Sequence, residues 1–333
     1  MNLKVAVLGG GSWGTTVASL VATNCETVLW ARDHASVDDI NLHHKNEKYL
    51  AGLKLNPNLK ASTSLEETLS KADVVVVGIP SQQCRTVMQD SIPFIRPWVP
   101  IVSLTKGLEL GTKMRMTEII ASIYPQHPVG VLTGPNLAKE ILQGQAAAAV
   151  LAMVDSNIAI ALQKVFRTGL FRVYTNDDVI GCELAGALKN VIAIAAGMGD
   201  GAGAGDNTRS AVITRGLAEL TRLGVALGGQ PATFAGLAGM GDLIATCISP
   251  LSRNRTVGFQ LGRGRTITDI IEEMSMVAEG VKTSGVVVEL SQKLGIPMPI
   301  SEEVNRVVNE TCNARQAFRG LLSTKSGSEA DPG

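Results

Sequence analysis

The chain has 333 residues, 45% of them hydrophobic and 18% charged, with 30 Lys plus Arg balanced by 30 Asp plus Glu. That length accommodates two domains of ordinary size, each with a core of its own, and the even charge provides no basic field suited to nucleic acid. Five scattered cysteines (Cys25, Cys84, Cys182, Cys247 and Cys312) lack the spacing of a disulfide scaffold or a zinc site, so no metal is expected.

The predicted elements start with strands: 4–9, 27–31, 73–80, 100–105, 128–134 and 147–153. Their apolar character is continuous rather than alternating, as in strands covered on both faces, which predicts a parallel sheet wrapped by helices. The opening run is too short for a signal peptide, and no stretch reaches about 18 apolar residues free of charge or glycine clusters. A cytoplasmic protein without stable membrane insertion is the expectation. Gly9-Gly10-Gly11-Ser12-Trp13-Gly14 fits GxGxxG directly after the first strand and before a helical run, the context that marks a dinucleotide site. Gly9 permits the tight turn, Gly11 admits a pyrophosphate against the backbone, and Gly14 lets the helix pack on the strand. The helix N-terminus adds N–H donors for the phosphates. The second strand ends at Arg32, followed by Asp33. Arginine there suits a 2′-phosphate, so NADPH is favoured or tolerated beside NADH; an exposed ion-pair arginine would look the same.

Ligands of open α/β sheets sit beyond the carboxyl ends of the strands. Lys106 follows the strand at 100–105, and Gly134, at the end of the strand at 128–134, is followed by Pro135 and Asn136, with Asn136 a possible cap for the next helix. From about residue 178 the β-runs stop. A helix of some 20 residues, capped by Asn176 or Asp177 and stopped at Gly197 and Gly199, is followed by helices at 208–227, 231–236, 252–263, 267–273, 279–294 and 301–315. Gly199 to Ala204 fits the looser GxGxxA form but follows a helix, which makes it a loop between helices. The predicted fold is α/β: a Rossmann-type doubly wound sheet over 1–178, an all-α domain over 179–320, and a disordered tail over 321–333.

The first of those helices carries Lys189 in an otherwise buried stretch. Either its stem snorkels to the surface, or the ammonium is kept for chemistry, because burying it unpaired costs several kcal/mol. Ala185, Gly186, Ile192 and Ala193 surround it at helical spacing and leave room. All four histidines lie at or before His127, so the helical half has no imidazole for proton transfer. Asp242 falls in a glycine-flanked turn, as an N-cap or as a partner for a cation. Ser252-Arg253-Asn254 opens a helix with donors suited to a phosphate, unless Arg253 is a structural ion pair.

"GGGSWGT", "LWARD", "TKGLE", "GPNLAKE", "GALKNVIAIAAGMGDG", "NTRSAVITRGLAE", "FAGLAGMGDLIATC", "SRNRTVG" and "VAEGVKTS" occur in this order. In these blocks, from about residue 4 to 318, the chain resembles bacterial NAD(P)-dependent glycerol-3-phosphate dehydrogenase. The resemblance implies reversible reduction of dihydroxyacetone phosphate to sn-glycerol 3-phosphate, a precursor of glycerophospholipids, with Lys189 as proton donor and acceptor. It implies that Lys106, Gly134, Asn136, Lys189, Asp242, Ser252, Arg253 and Asn254 meet the substrate. Ser12, Trp13, Arg32, Tyr49, Lys106, Ala138, Arg253, Val277 and Glu279 join the fingerprint glycines at the cofactor. Asn136-Leu137 departs from the family's usual Ser or Thr followed by Phe. A β-hydroxyacid or ketopantoate-type dehydrogenase and a non-catalytic dinucleotide sensor are the alternatives, and a homodimer is the expected assembly.

Overall fold

The computed structural model describes residues 3–274 and 278–323, and the chain divides into one compact unit ending at Val179 and a second beginning at Ile180. The first unit is built on eight strands: β1 (Lys4–Leu8), β2 (Glu26–Trp30), β3 (Lys60–Ser62), β4 (Val74–Val77), β5 (Ile101–Ser103), β6 (Val129–Thr133), β7 (Ala147–Met153) and β8 (Phe171–Asn176). They form one sheet in the order β3-β2-β1-β4-β5-β6-β7-β8. The helices of seven residues or more in this unit are α1 (Ser12–Val21), α2 (Cys84–Asp90), α3 (Met116–Ile123) and α4 (Ser156–Phe166).

Alternate residues of one strand feed two separate cores, which is why the strands read as unbroken apolar runs. Val5 and Val7 join Val17 and Val21 of α1 and Leu162 and Phe166 of α4. Ala6 and Leu8 join Met88 of α2 and Met116 and Ile120 of α3 on the other face. A fully buried valine or leucine is worth about 1.5–3 kcal/mol, so both layers hold the sheet in place.

Two corrections to the expected sheet emerge. It is not wholly parallel, because β7 runs antiparallel to β6 while β8 returns parallel to β7. The β6–β7 connection holds only the five-residue helix Ala138–Leu142, too short for the crossover that a parallel return requires. Strands β3 and β8 also escape a search for continuous apolar runs. β3 is only "KAS", and β8 is an edge strand whose residues alternate between buried and exposed.

Register aligns the carboxyl ends. Leu8 lies beside Trp30 and Val77, Val77 beside Ser103, and Ser103 beside Val131. Sequence order reverses at β1, with β2 on one side and β4 on the other. That is the switch point at which open α/β sheets take their ligands.

The second unit contains α5 (Val179–Gly201), α6 (Asp206–Ala226), α7 (Asp242–Ile248), α8 (Arg253–Gly262), α9 (Ile267–Glu273), α10 (Glu279–Leu294), α11 (Pro299–Val308) and α12 (Ala314–Ser323). Helix α5 has the length and apolarity of a membrane span, yet 94% of its most apolar window is buried in the protein. Neither Gly197 nor Gly199 stops it, and it ends at Gly201. Nor is Asn176 a cap: it ends β8, and its Oδ1 accepts the Asp178 N–H at 2.8 Å. The single helix expected over 301–315 is two. Glu310 takes a left-handed φ of 57°, and Asn313 and Gln316 then exchange side-chain-to-backbone bonds that start α12. Helix α12 continues to Ser323, past the expected start of the tail, and the remainder of that tail lies outside the described residues.

Candidate active site

The glycine fingerprint forms the turn between β1 and α1. Gly9 has a φ of 119°, and a Cβ there would sit 2.4 Å from the Gly78 carbonyl oxygen, while one on Gly14 would sit 2.1 Å from that of Gly9. These two glycines are therefore demanded by the protein's own packing. A Cβ on Gly11 would meet no protein atom within 4 Å. Gly11 is the N-cap of α1 and offers no side-chain acceptor, so the first-turn N–H groups are not capped by it. A glycine at position 11 that the protein's own packing does not require, beside uncapped helix donors, fits a dinucleotide pyrophosphate.

Other groups support this loop. Asn46 is fully buried, and its Nδ2 donates to the Gly10 carbonyl at 3.0 Å and to Thr15 Oγ1 at 2.9 Å. Ser12 Oγ donates to the Tyr49 carbonyl at 3.2 Å, tying the segment around Tyr49 to the fingerprint. Sequence reasoning missed Asn46, which matches no phosphate-binding pattern. The Trp13 indole packs against the core and edge-on to Phe171, and its buried Nε1 finds no partner among the described residues. Arg32 is exposed and has no ion pair among the described residues. Asp33 beside it accepts from Ser36 Oγ at 2.7 Å and pairs with Lys48 at 3.4 Å. The Ser36 hydrogen bond leads in holding the Asp33 carboxyl below its ordinary range.

At the ends of β5 and β6, Lys106 Nζ donates to the Gly134 carbonyl at 3.1 Å, so these two residues are brought together. Asn136 does not cap the next helix, because that position falls one residue later, on Leu137, which leads into Ala138. Both polar atoms of the Asn136 amide are buried and find no partner among the described residues. Such an amide costs about 1–3 kcal/mol unless a ligand satisfies it.

In the second unit Lys189 does not snorkel. Its side chain is 6% exposed, and Nζ pairs with Asp242 Oδ1 at 2.5 Å. Nζ also reaches Thr246 Oγ1, and that hydroxyl donates to the Asp242 carbonyl at 2.6 Å. Asp242 opens α7 rather than lying in a turn, with the π-helical turn Leu237–Gly241 leading into it. Thr246 was missed; its place four residues after Asp242, on one helix face, was the available signal. Cys247 is fully buried nearby, and desolvation pushes its thiol up to about 12 despite the Lys189 charge.

Ser252 caps α8, its Oγ accepting the Arg255 N–H at 3.3 Å. Asn254 Oδ1 accepts the Gly280 N–H at 2.9 Å, which brings the start of α10 to the start of α8. A Cβ on Gly280 would lie 2.7 Å from the Asn190 carbonyl, so the residue after Lys189 joins the same junction. Arg253 is the exposed member of the trio; desolvation draws its guanidinium below its ordinary range, with Glu279 opposing that shift. Val277 lies outside the described residues.

Two family models cover the chain: the NAD-dependent glycerol-3-phosphate dehydrogenase N-terminus over residues 4–159 and its C-terminus over residues 178–319. The chain belongs to the NAD-dependent glycerol-3-phosphate dehydrogenase family. Among its relatives, the glycerol-3-phosphate dehydrogenase [NAD(P)+] 2 of Sphingopyxis alaskensis is 59% identical over 333 residues, the whole of both chains. The glycerol-3-phosphate dehydrogenase [NAD(P)+] of Mycobacterium avium is 54% identical over 98% of this chain and 96% of its own. The crystal structure of the Coxiella burnetii glycerol-3-phosphate dehydrogenase superposes with a TM-score of 0.92 at 36% identity, covering 97% of this chain and 99% of that one. A ketopantoate reductase from Ralstonia eutropha, 16% identical with a TM-score of 0.60, shares the fold alone. This family is one of NAD(P)-dependent oxidoreductases, which places the chain among enzymes rather than dinucleotide sensors and decides against the ketopantoate-type alternative.

Proposed function

We propose that this dehydrogenase interconverts dihydroxyacetone phosphate and sn-glycerol 3-phosphate, with Lys189 as the proton donor to the carbonyl oxygen. The reading rests above all on the buried ammonium held between Asp242 and Thr246 in a helical unit whose described residues include no histidine. The nicotinamide cofactor, when bound, supplies the hydride that reaches the carbonyl carbon. Lys189 gives its proton to the oxygen as negative charge develops there, and in the reverse direction it takes the alcohol proton. Asp242 and Thr246 fix the direction of Nζ, so proton transfer needs no reorganisation of the lysine stem. Arg253 supplies a fork for the substrate phosphate and Asn254 an amide N–H, while Ser252 can still donate its hydroxyl proton. Lys106 and the Asn136 amide contribute further polar contacts to substrate.

In the first unit Gly11 and the α1 N-terminus would hold the pyrophosphate, and Arg32 a 2′-phosphate, NADH being accepted without that contact. Ala138, Tyr49 and Glu279 are proposed to border the cofactor. The product has the chemistry of a glycerophospholipid backbone, and we place the reaction in the cytoplasm. The test is a spectrophotometric assay of NADPH and NADH oxidation with dihydroxyacetone phosphate. Oxidation that depends on this substrate supports the reading. Acceleration by ketopantoate or a β-keto acid, with none by dihydroxyacetone phosphate, would refute it.

A further inference from the structure

We infer that Asp200 is a positioning residue for the substrate-phosphate trio, acting through Arg255 on the first turn of α8. The inference rests on the roles proposed for Lys189 and Arg253, because its subject is the spacing between them.

Lys189 lies on α5 and Arg253 on α8, and the two helices meet backbone to backbone. A Cβ on Gly197 or Gly201 of α5 would come within 2.1 Å of the Arg255 or Phe259 carbonyl oxygen of α8. Reciprocally, a Cβ on Gly258 would lie 2.0 Å from the Ile194 carbonyl oxygen and one on Gly262 2.3 Å from that of Met198. Two GxxxG pairs thus interlock and set how closely the axes approach. Smooth glycine surfaces fix separation better than register, since they present few side-chain ridges to resist sliding or rolling.

The Asp200 carboxylate provides that resistance. Its side chain is only 6% exposed, and each oxygen receives a guanidinium fork. Arg255 donates through Nε at 2.9 Å and Nη2 at 2.7 Å to Oδ2. Arg209 of α6 donates through Nε and Nη2, both at 2.8 Å, to Oδ1. Forked charge-assisted bonds are geometrically selective as well as strong. Of the two arginines only Arg255 belongs to the turn that carries Ser252, Arg253 and Asn254, and its backbone N–H is the one that Ser252 caps. The Asp200–Arg255 fork therefore pins the phosphate-holding turn to the helix that bears the proton donor. Arg209 joins the same carboxylate to a helix with no part in the trio.

The experiment compares Arg255→Gln with Arg209→Gln, each of which removes one fork from the same carboxylate. A misplacement near 1 Å at a reacting site can cost about a hundredfold. Arg255→Gln should therefore raise KM for dihydroxyacetone phosphate by about tenfold or more, with NADPH affinity by fluorescence unchanged. Arg209→Gln should lower the melting temperature while leaving KM within about twofold of the parent. If Arg255→Gln is insoluble, Arg255→Lys, which loses the fork but keeps the charge, takes its place in the comparison. Equal KM values in the two variants would reduce Asp200 to a structural anchor and overturn the inference, while the proposed function stood. An unmutated protein that fails to turn over dihydroxyacetone phosphate would instead sink the function, and this inference with it.

Discussion

Replacing Asp242 with leucine strips the Lys189 ammonium of its carboxylate in a place where the lysine side chain is 6% exposed. A buried charge deprived of its partner costs about 3–5 kcal/mol. Thr246 Oγ1 remains in contact with Nζ, which moves the expected loss toward the lower end of that range. Lys189→Met strands the Asp242 carboxylate, itself 2% exposed, at a similar cost. The double variant leaves neither charge behind and fills the space with two apolar side chains, an exchange that is often neutral or stabilising. The coupling between the two sites should therefore be about 6 kcal/mol, roughly the sum of the two single losses, well above the few tenths expected of independent positions. Urea unfolding followed by far-ultraviolet circular dichroism measures it. All three tryptophans and all three tyrosines precede residue 179, so intrinsic fluorescence reports on the first unit. Additive losses, with the double variant as unstable as the two single ones combined, would refute the reasoning.

Arg32→Ala should weaken NADPH binding by tenfold or more, as expected for a lost charge-assisted phosphate contact of about 1.5–3 kcal/mol, and leave NADH within about twofold; equal losses by fluorescence titration would contradict the 2′-phosphate role. Asn136→Leu removes a buried amide that finds no partner among the described residues. It should raise stability by about 1 kcal/mol while KM for dihydroxyacetone phosphate increases, and unchanged KM would detach Asn136 from substrate. Desolvation pushes the Glu219 carboxyl up to about 7, against the Ile300 and Ser301 groups that donate to it and favour its ionised form. Its unfolded value is about 4.3, so its contribution to stability is complete below that pH and is lost as pH rises through about 7. Between about pH 5 and pH 7.5 the melting temperature of the helical unit should fall more steeply in the parent than in Glu219→Gln; parallel curves would show that Glu219 is ionised throughout.

The first unit was legible wherever burial on both faces leaves an unbroken apolar run, as at Val74–Val77, and wherever a turn demands glycine, as at Gly9 and Gly14. Strand β8 was not, because an edge strand buries one face only and alternates as an exposed segment also can. In the second unit Gly197 and Gly199 read as helix stops, since glycine weakens an isolated helix by about 1 kcal/mol. The carbonyls of α8 press so closely on Gly197 and Gly201 that their lack of a Cβ outweighs that local cost, and nothing in the local sequence announces a partner helix some 60 residues away. Lys189 was conspicuous because a charge interrupts an apolar helix. Thr246 and Asp200 were not, because a threonine or an aspartate amid polar residues has many ordinary explanations. The trio at 252–254 was visible as donors at a helix start, while its attachment to α10 through Asn254 and Gly280 depends on tertiary packing.

The most direct test of the central claim is rapid mixing of Lys189→Met, saturated with NADPH, against dihydroxyacetone phosphate, with the cofactor's absorbance followed through a single turnover. The rate should fall by about a thousandfold, within the range for loss of a positioned acid, with NADPH affinity within about twofold of the parent. A rate close to the parent's would show that the proton comes from elsewhere and that the buried ammonium serves only the fold.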